Sequence, residues 1–210
     1  MAPRVSDAYK TRKKQELLQA ARRIFVRKGY TRATMQDIME EAGVSRGALY
    51  AYFENIEHVY LELLRSDDQT DIQLFLPDDS CTAWQQLKRW VYKQQTLIEG
   101  IEHSLLLANT EFFLSMHNQK PSEGSSYLHA RYERIVEVLI EFFQQGVAKN
   151  ELQPQQPVDS IAHYLVSFID GLMLDSFHMG PHRTNVPAQI EVLLFSLQAM
   201  LSPTDENSPK

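Results

Sequence analysis

Residues 31–58 read Thr-Arg-Ala-Thr-Met-Gln-Asp-Ile-Met-Glu-Glu-Ala-Gly-Val-Ser-Arg-Gly-Ala-Leu-Tyr-Ala-Tyr-Phe-Glu-Asn-Ile-Glu-His. The pattern predicts two short helices folded around one glycine. Thr34 stands three residues before Asp37, close to the S/T-x-x-E capping pattern, and opens the first helix. Ile38 and Met39 then turn an apolar face inward. Gly43 falls just past that helix, where a positive φ ends it without steric cost. Ser45 caps the next helix, and Leu49 and Phe53, four apart, anchor it to the same core. Arg46 and Tyr50 are left on one outward face, Ala48 and Tyr52 on the adjacent one. Gly47 has no side chain to hold the backbone off a base edge or a phosphate. A short second helix with a small-residue surface is what a helix-turn-helix needs to enter a major groove.

Together with the helix ahead of it, this segment resembles the tetracycline-repressor (TetR) family of one-component bacterial regulators. The resemblance runs over about residues 12–60. Its blocks are Leu-Leu-Gln-Ala-Ala-Arg-Arg-Ile-Phe-Val-Arg-Lys-Gly-Tyr (17–30), Thr-Met-Gln-Asp-Ile (34–38) and Ala-Gly-Val-Ser-Arg-Gly-Ala-Leu-Tyr-Ala-Tyr-Phe (42–53). Short helix pairs are common, but these blocks in this order are specific. Farther along, the chain resembles the family only in its all-helical layout.

The resemblance implies an all-α fold of about nine helices. A three-helix DNA-binding head (1–57) would precede a helical effector-binding and dimerisation domain (58–202) and a disordered tail (203–210). It implies a ligand-responsive transcriptional regulator, most commonly a repressor. Such a protein binds a palindromic operator on double-stranded DNA as a homodimer, and a small hydrophobic effector releases it. It also brings the start of helix 2 to the DNA backbone, through Thr34, the Met35 amide and Gln36. One departure stands out. Family members commonly carry a phosphate-clamping lysine three residues past the phenylalanine, and here that position is Ile56.

The 210 residues are 43% apolar and 23% charged, ordinary for a globular protein of one or two domains. No apolar run reaches the roughly 20 residues that span a bilayer, so no membrane association is expected. The opening Met-Ala-Pro-Arg-Val-Ser-Asp leads into Lys and Arg, so no secretory signal is expected either. The lone Cys81 suits a reducing cytoplasm, the expected compartment, and with no cationic cluster beside it reads as an ordinary thiol. The net charge of −6 argues against coating nucleic acid by bulk attraction, but its distribution is uneven. Residues 1–57 hold 11 Lys/Arg and 7 Asp/Glu, a net +4, leaving 10 and 20 for the remainder, a net −10. A basic head on an acidic body directs phosphates to the head. Taken singly, each of these cations also fits an ordinary solvated helix face.

Apolar periodicity and punctuation predict helix 1 over 11–28, stopped by Gly29, and helix 4 from residue 55 or 56 to the acidic pair Asp67-Asp68. Helix 5 starts at Thr82 and ends at Gly100. Helix 6 covers 102–117, helix 7 126–148, helix 8 158–179 and helix 9 188–201. Residues 77–80, 118–125 and 150–157 are predicted loops, and 202–210 is predicted to be disordered.

In the head, Arg46 is suited either to bidentate pairing with guanine or to clamping a phosphate. Ala48 offers a methyl to thymine or simply permits close approach. Tyr50 and Tyr52 suit phosphate oxygens, with one of them expected to pack against helix 1. Gln36 is within reach of a base edge. Three or four base contacts are too few for genome-wide specificity, so a twofold pair is expected. Helix 8 is apolar nearly all round and helix 9 is similar, pointing to a four-helix seam formed with Phe168, Gly171, Leu172, Leu194 and Leu197. Trp90, Phe112, Phe113, Met116, Tyr132 and Phe168 are the candidates to line an effector cavity, though aromatics of this kind are core by default. Glu111, Glu137, His117, His163, Asp170 and His178 are candidate polar groups among them, and an acid there would favour a lipophilic cation.

The rival reading is a helical enzyme or a binding module with no DNA role. The sequence contains no nucleophile elbow, P-loop, dinucleotide fingerprint or metal-ligand spacing. His178 and His182 flank Gly180-Pro181, which breaks the helix that would align them. No catalytic residue, metal or cofactor is therefore expected, and the protein is not expected to be an enzyme.

Overall fold

The computed structural model describes residues 7–72, 75, 78, 80–117 and 123–204, without the side chains of 69–72, 116, 117, 123, 125, 128 and 129. The expected loops at 77–80 and 118–125 therefore lie partly outside the described residues, as does the Met116 side chain. Among the described residues the chain forms nine α-helices: α1 (Asp7–Lys28), α2 (Met35–Ala42), α3 (Arg46–Tyr50), α4 (Ile56–Ile72), α5 (Ala83–Glu99), α6 (Leu106–His117), α7 (Glu123–Ala148), α8 (Val158–Met179) and α9 (Val186–Leu201). A 3₁₀ turn, Ile101–His103, occupies the expected start of α6. No helix among the described residues is long and apolar enough to cross a membrane.

The chain folds as two compact units. Of the described residues, the first takes those up to Gln69 and those of His103–His129; the second takes those of Thr70–Glu102 and those from Ala130 onward. Where the sequence divides the chain after residue 57, the first unit continues along α4 and draws in α6. The reason is packing. Leu17, Leu18, Ile24 and Phe25 of α1 bury against Ile38 and Leu49, then against Val59, Tyr60 and Leu63 of α4 and Ala108 and Phe112 of α6. Four rings seal this core: Tyr60 lies 4.7 Å from Phe25, 5.1 Å from Tyr30 and 4.9 Å from Phe112. Arg22 with Asp67, and Lys14 with Glu62, tie α1 to α4 on the outside.

The second unit buries one face each of α5, α7, α8 and α9. Thr82 caps α5 with a reciprocal Gln85 contact. On α7, Gly146 has Leu152 and Ala83 so close that an added Cβ would lie 2.6 Å from the Leu152 side chain. The chain end differs from expectation. Residues 202–204 are held against the loop after α7, through an isolated bridge between Leu152 and Pro203 and a Thr204 N–H donated to Glu151 O at 3.1 Å. The last carbonyls of α9 have no intrahelical partner, and the Gln153 and Gln155 N–H groups reach Leu201 O and Met200 O at 2.8 and 2.7 Å. Only residues 205–210 of the predicted tail fall outside the described residues.

Helices α8 and α9 are apolar on two faces, and three of the residues assigned to a seam belong to the inner one. Leu172, Leu194 and Leu197 are buried in their own subunit's core. Spacings of three and four from Leu193 and Leu194 to Leu197 and Leu201 mark the inner stripe. The outward stripe of α9 is Ala188, Val192, Phe195 and Ala199, with Phe195 75% exposed. On α8 it is Tyr164, Ser167, Gly171 and Leu174. Gly171 faces open space, with nothing within 4 Å of an added Cβ. Phe168 sits between the two faces, half-buried, its ring 6.1 Å from Tyr164.

Candidate nucleic-acid interface

Helix α2 begins with both halves of a capping box. The Thr34 side chain accepts from Asp37 N at 3.1 Å, while the Asp37 carboxylate accepts from Thr34 N at 3.1 Å and from its hydroxyl at 2.8 Å. Lys28 from α1 adds a 2.7 Å ion pair. That lysine, and then Thr34, hold the Asp37 carboxyl below the usual carboxylate range. Gly43 closes the helix at φ 62°, its N–H returning to Glu40 O and the Val44 N–H to Met39 O. Ser45 then caps α3 through Ala48 N at 3.4 Å. Only five residues follow in α3, and Leu49 alone among them is buried.

The outer surfaces of α2 and α3 enclose a concavity of about 560 Å³ lined by Met35, Gln36, Met39, Glu40, Gly43, Val44, Arg46 and Tyr50. Arg46 projects over it, its guanidinium 5.2 Å from the Tyr50 ring centre. Tyr50 is 41% exposed, whereas Tyr52 is half-buried and packs on the head core. Thr34, Gln36, Ser45 and Gly47 are exposed, Met35 and Ala48 half-buried. An added Cβ at Gly47 would meet nothing within 4 Å, so the backbone there is open to a duplex. Of the nine residues read from sequence as DNA-facing, Met35, Gln36, Arg46 and Tyr50 line the concavity, and Tyr52 packs on the core instead. Gln36 donates to Glu40 at 2.7 Å, while Thr34 and Ser45 are engaged in the two caps.

The head's positive charge is less available than its count suggests. Arg23 and Arg27 both pair with Glu41, at 2.6 and 3.1 Å; Lys28 pairs with Asp37, and Lys13 with Glu16 at 2.9 Å. Among the described residues Arg46 has no carboxylate partner, and Arg32 donates instead to Lys28 O. At the departure from the family pattern, α4 starts at Ile56 with its N-terminus capped by Asn55, whose side chain accepts from His58 N at 2.8 Å.

The aromatic candidates for an effector cavity are divided between the two units. Phe112 is fully buried in the head core, with the Tyr30 and Tyr60 rings packed on it. Phe113, beside it on α6, is exposed. In the second unit Trp90 is buried, 5.3 Å from Phe75, and Tyr132 is exposed with its hydroxyl 3.4 Å from His163 Nδ1. Glu111 is far from any such role. Its carboxylate accepts from Thr31 N at 2.8 Å, bracing the turn between α1 and α2. That contact joins residues 80 apart in sequence, and no local pattern signals it. Glu137 lies beside Arg134 at 3.6 Å. Among the described residues no three His, Cys, Asp or Glu side chains gather as a metal site.

Two family models match the chain in order. The model described as bacterial regulatory proteins, tetR family, matches residues 17–63, and the tetracyclin repressor-like C-terminal domain matches residues 86–187. The chain belongs to the TetR family. This TetR-family protein is 28% identical over 203 residues to the uncharacterised HTH-type transcriptional regulator YfiR of Bacillus subtilis, covering 96% of this chain and 98% of YfiR. It is 24% identical to the HTH-type transcriptional repressor AcnR of Corynebacterium diphtheriae, over 81% of this chain and 84% of AcnR. The solved SmeT–triclosan complex shares the fold, with a TM-score of 0.72 at 16% identity over 95% of this chain and 99% of that one. As a TetR-family member, the protein is a DNA-binding transcriptional regulator of all-α architecture.

Proposed function

We propose that this regulator represses transcription by holding a palindromic operator as a homodimer, and that a small, largely apolar effector bound in the C-terminal part releases it. The observation carrying the DNA half is the exposed α2–α3 concavity beneath a carboxylate-free Arg46. Dimerisation is supported by the outward stripes of α8 and α9, which leave Val192, Phe195 and Leu174 in water unless something covers them. The relative named a repressor and the fold neighbour solved with triclosan favour repression and a hydrophobic effector.

Release requires differential binding. An effector that fits only one packing of the helices shifts the population toward it, and the two recognition helices lose their match to major grooves about 34 Å apart. Within the first unit, Glu111 gives α6 a direct hold on the α1–α2 turn, so displacement of α6 pulls on the backbone leading into α2. The test is a gel shift on the DNA flanking the protein's own coding region. One palindromic stretch should bind tightly and unrelated fragments weakly. Equal binding to every fragment, or to none, sinks the reading.

A further inference from the structure

Three polar side chains are buried among the described residues, and all lie in the second unit and carry no charge: Gln86, Gln94 and Ser176. Ser176 meets the Thr184 hydroxyl at 2.9 Å, and Gln86 is also engaged. Gln94 differs. It is 6% exposed, and its amide has no hydrogen-bond partner among the described residues. A buried amide left unpaired is costly, and folded proteins keep few of them without a use. Among the described residues no fully enclosed side-chain nitrogen or oxygen lacks a partner. The Gln94 amide therefore keeps a narrow contact with space that water reaches.

Its surroundings are apolar. Gln94 lies on the buried stripe of α5, one turn past Trp90 and Val91 and one turn before Ile98, on a helix packed against α8 and α9. We infer that Gln94 is the polar anchor of the effector site, and that this site takes an uncharged, mainly apolar molecule carrying a carbonyl, hydroxyl or amide. A primary amide both donates and accepts, so it satisfies such a group fully. It gives a cation no counter-charge, and burial pushes the carboxyl of Asp170, on the neighbouring α8, up toward its neutral form. Of the three acids that could favour a lipophilic cation, Glu111 serves the head turn and Glu137 lies beside Arg134, which leaves Asp170. This inference rests on the effector-released reading above.

A matched set of eight-carbon probes tests it: octanamide, octyltrimethylammonium and octanoate, titrated by calorimetry into the wild type and Gln94→Leu. Octanamide should bind the wild type at least tenfold more tightly than either charged probe, and Gln94→Leu should lose at least tenfold for octanamide alone. With no probe present, Gln94→Leu should melt about 2–4 °C higher, because an unpaired buried amide has been removed. A lower melting temperature marks Gln94 as a structural hydrogen-bonding residue and overturns the inference. So does charged-probe binding equal to that of octanamide, absence of octanamide binding to the wild type, or unchanged octanamide binding to the variant. Operator binding by both proteins without probe is measured alongside. If it holds while the probe results fail, the anchor is wrong and the regulator stands; if it is absent in the wild type, the regulator reading is what fails.

Discussion

At the scale of single residues, Arg46 carries the most. It projects over the α2–α3 concavity with an aromatic ring rather than a carboxylate beside it, so its charge is free to meet DNA. Arg46→Ala should cost about 1–3 kcal/mol per half-site if the guanidinium pairs with guanine, with discrimination lost at one operator position. Gel shifts on single-base operator variants check this. A loss that is uniform across sequences would make it a phosphate clamp. Gly29 is constrained twice, by a φ of 76° and by a Glu111 oxygen 2.5 Å from where a Cβ would stand. Gly29→Ala should cost about 1–2 kcal/mol from the left-handed backbone alone, read by urea unfolding, with a further loss as Glu111 is displaced. The glycine was legible as a helix stop, but its carboxylate neighbour was not, since nothing near residue 29 points to residue 111. Asp78 supplies a pH effect. Its carboxylate accepts from the Ser80 hydroxyl and N–H and from the Cys81 thiol, which lowers its pKa from 3.8 to about 2. A lowered folded pKa stabilises above the unfolded value, and that stability disappears as pH falls from about 4 toward 2. Melting temperatures across that window should therefore decline less in Asp78→Asn than in the wild type; equal declines would dismiss the contact. The same carboxylate, after burial, helps push the Cys81 thiol upward, so the sulfur is not primed to react.

Among the elements, α2 and α3 were the most legible, because their caps and their glycine are local chemistry written within a few residues. Thr34→Ala removes one side of the capping box and should destabilise by about 1 kcal/mol in thermal melts. Unchanged stability would mean that Lys28 and Asp37 hold the turn without it. The unreadable element was α6. Its apolar residues run round the helix, with Phe113 and Leu114 exposed, so they do not show which face packs or against which partner, and Phe112 fits a head core as well as it fits a cavity. The same ambiguity misassigned Leu172, Leu194 and Leu197: a helix apolar on two faces does not say which stripe meets its own subunit. Only spacing relative to the packed residues separates 188, 192, 195 and 199 from 190, 193, 194 and 197. Because Glu111 links α6 to the α1–α2 turn, Glu111→Ala should weaken operator binding several-fold and leave the assembly state intact. Gel shift with sedimentation decides it, and full-strength binding would remove α6 from the transmission route.

For the whole molecule, the sequence anticipated two functional parts but not the reach of the head unit along α4 and into α6. Charge at the outward stripe tests the proposed seam. Phe195→Glu or Gly171→Glu places a carboxylate where two copies would meet, and each should yield monomers in sedimentation and lower operator affinity at least tenfold. A dimer unaltered by both would move the seam elsewhere. The ion pairs inside the head make a further point. Arg23, Arg27 and Lys28 are already neutralised by Glu41 and Asp37, so few cations remain to displace the counterions condensed on a duplex. Random chromosomal sequence then has little grip on the protein. A small number of copies would then stay in the free pool instead of being soaked up by the genome, and under the proposed release by an effector the occupancy of the target would follow that pool closely.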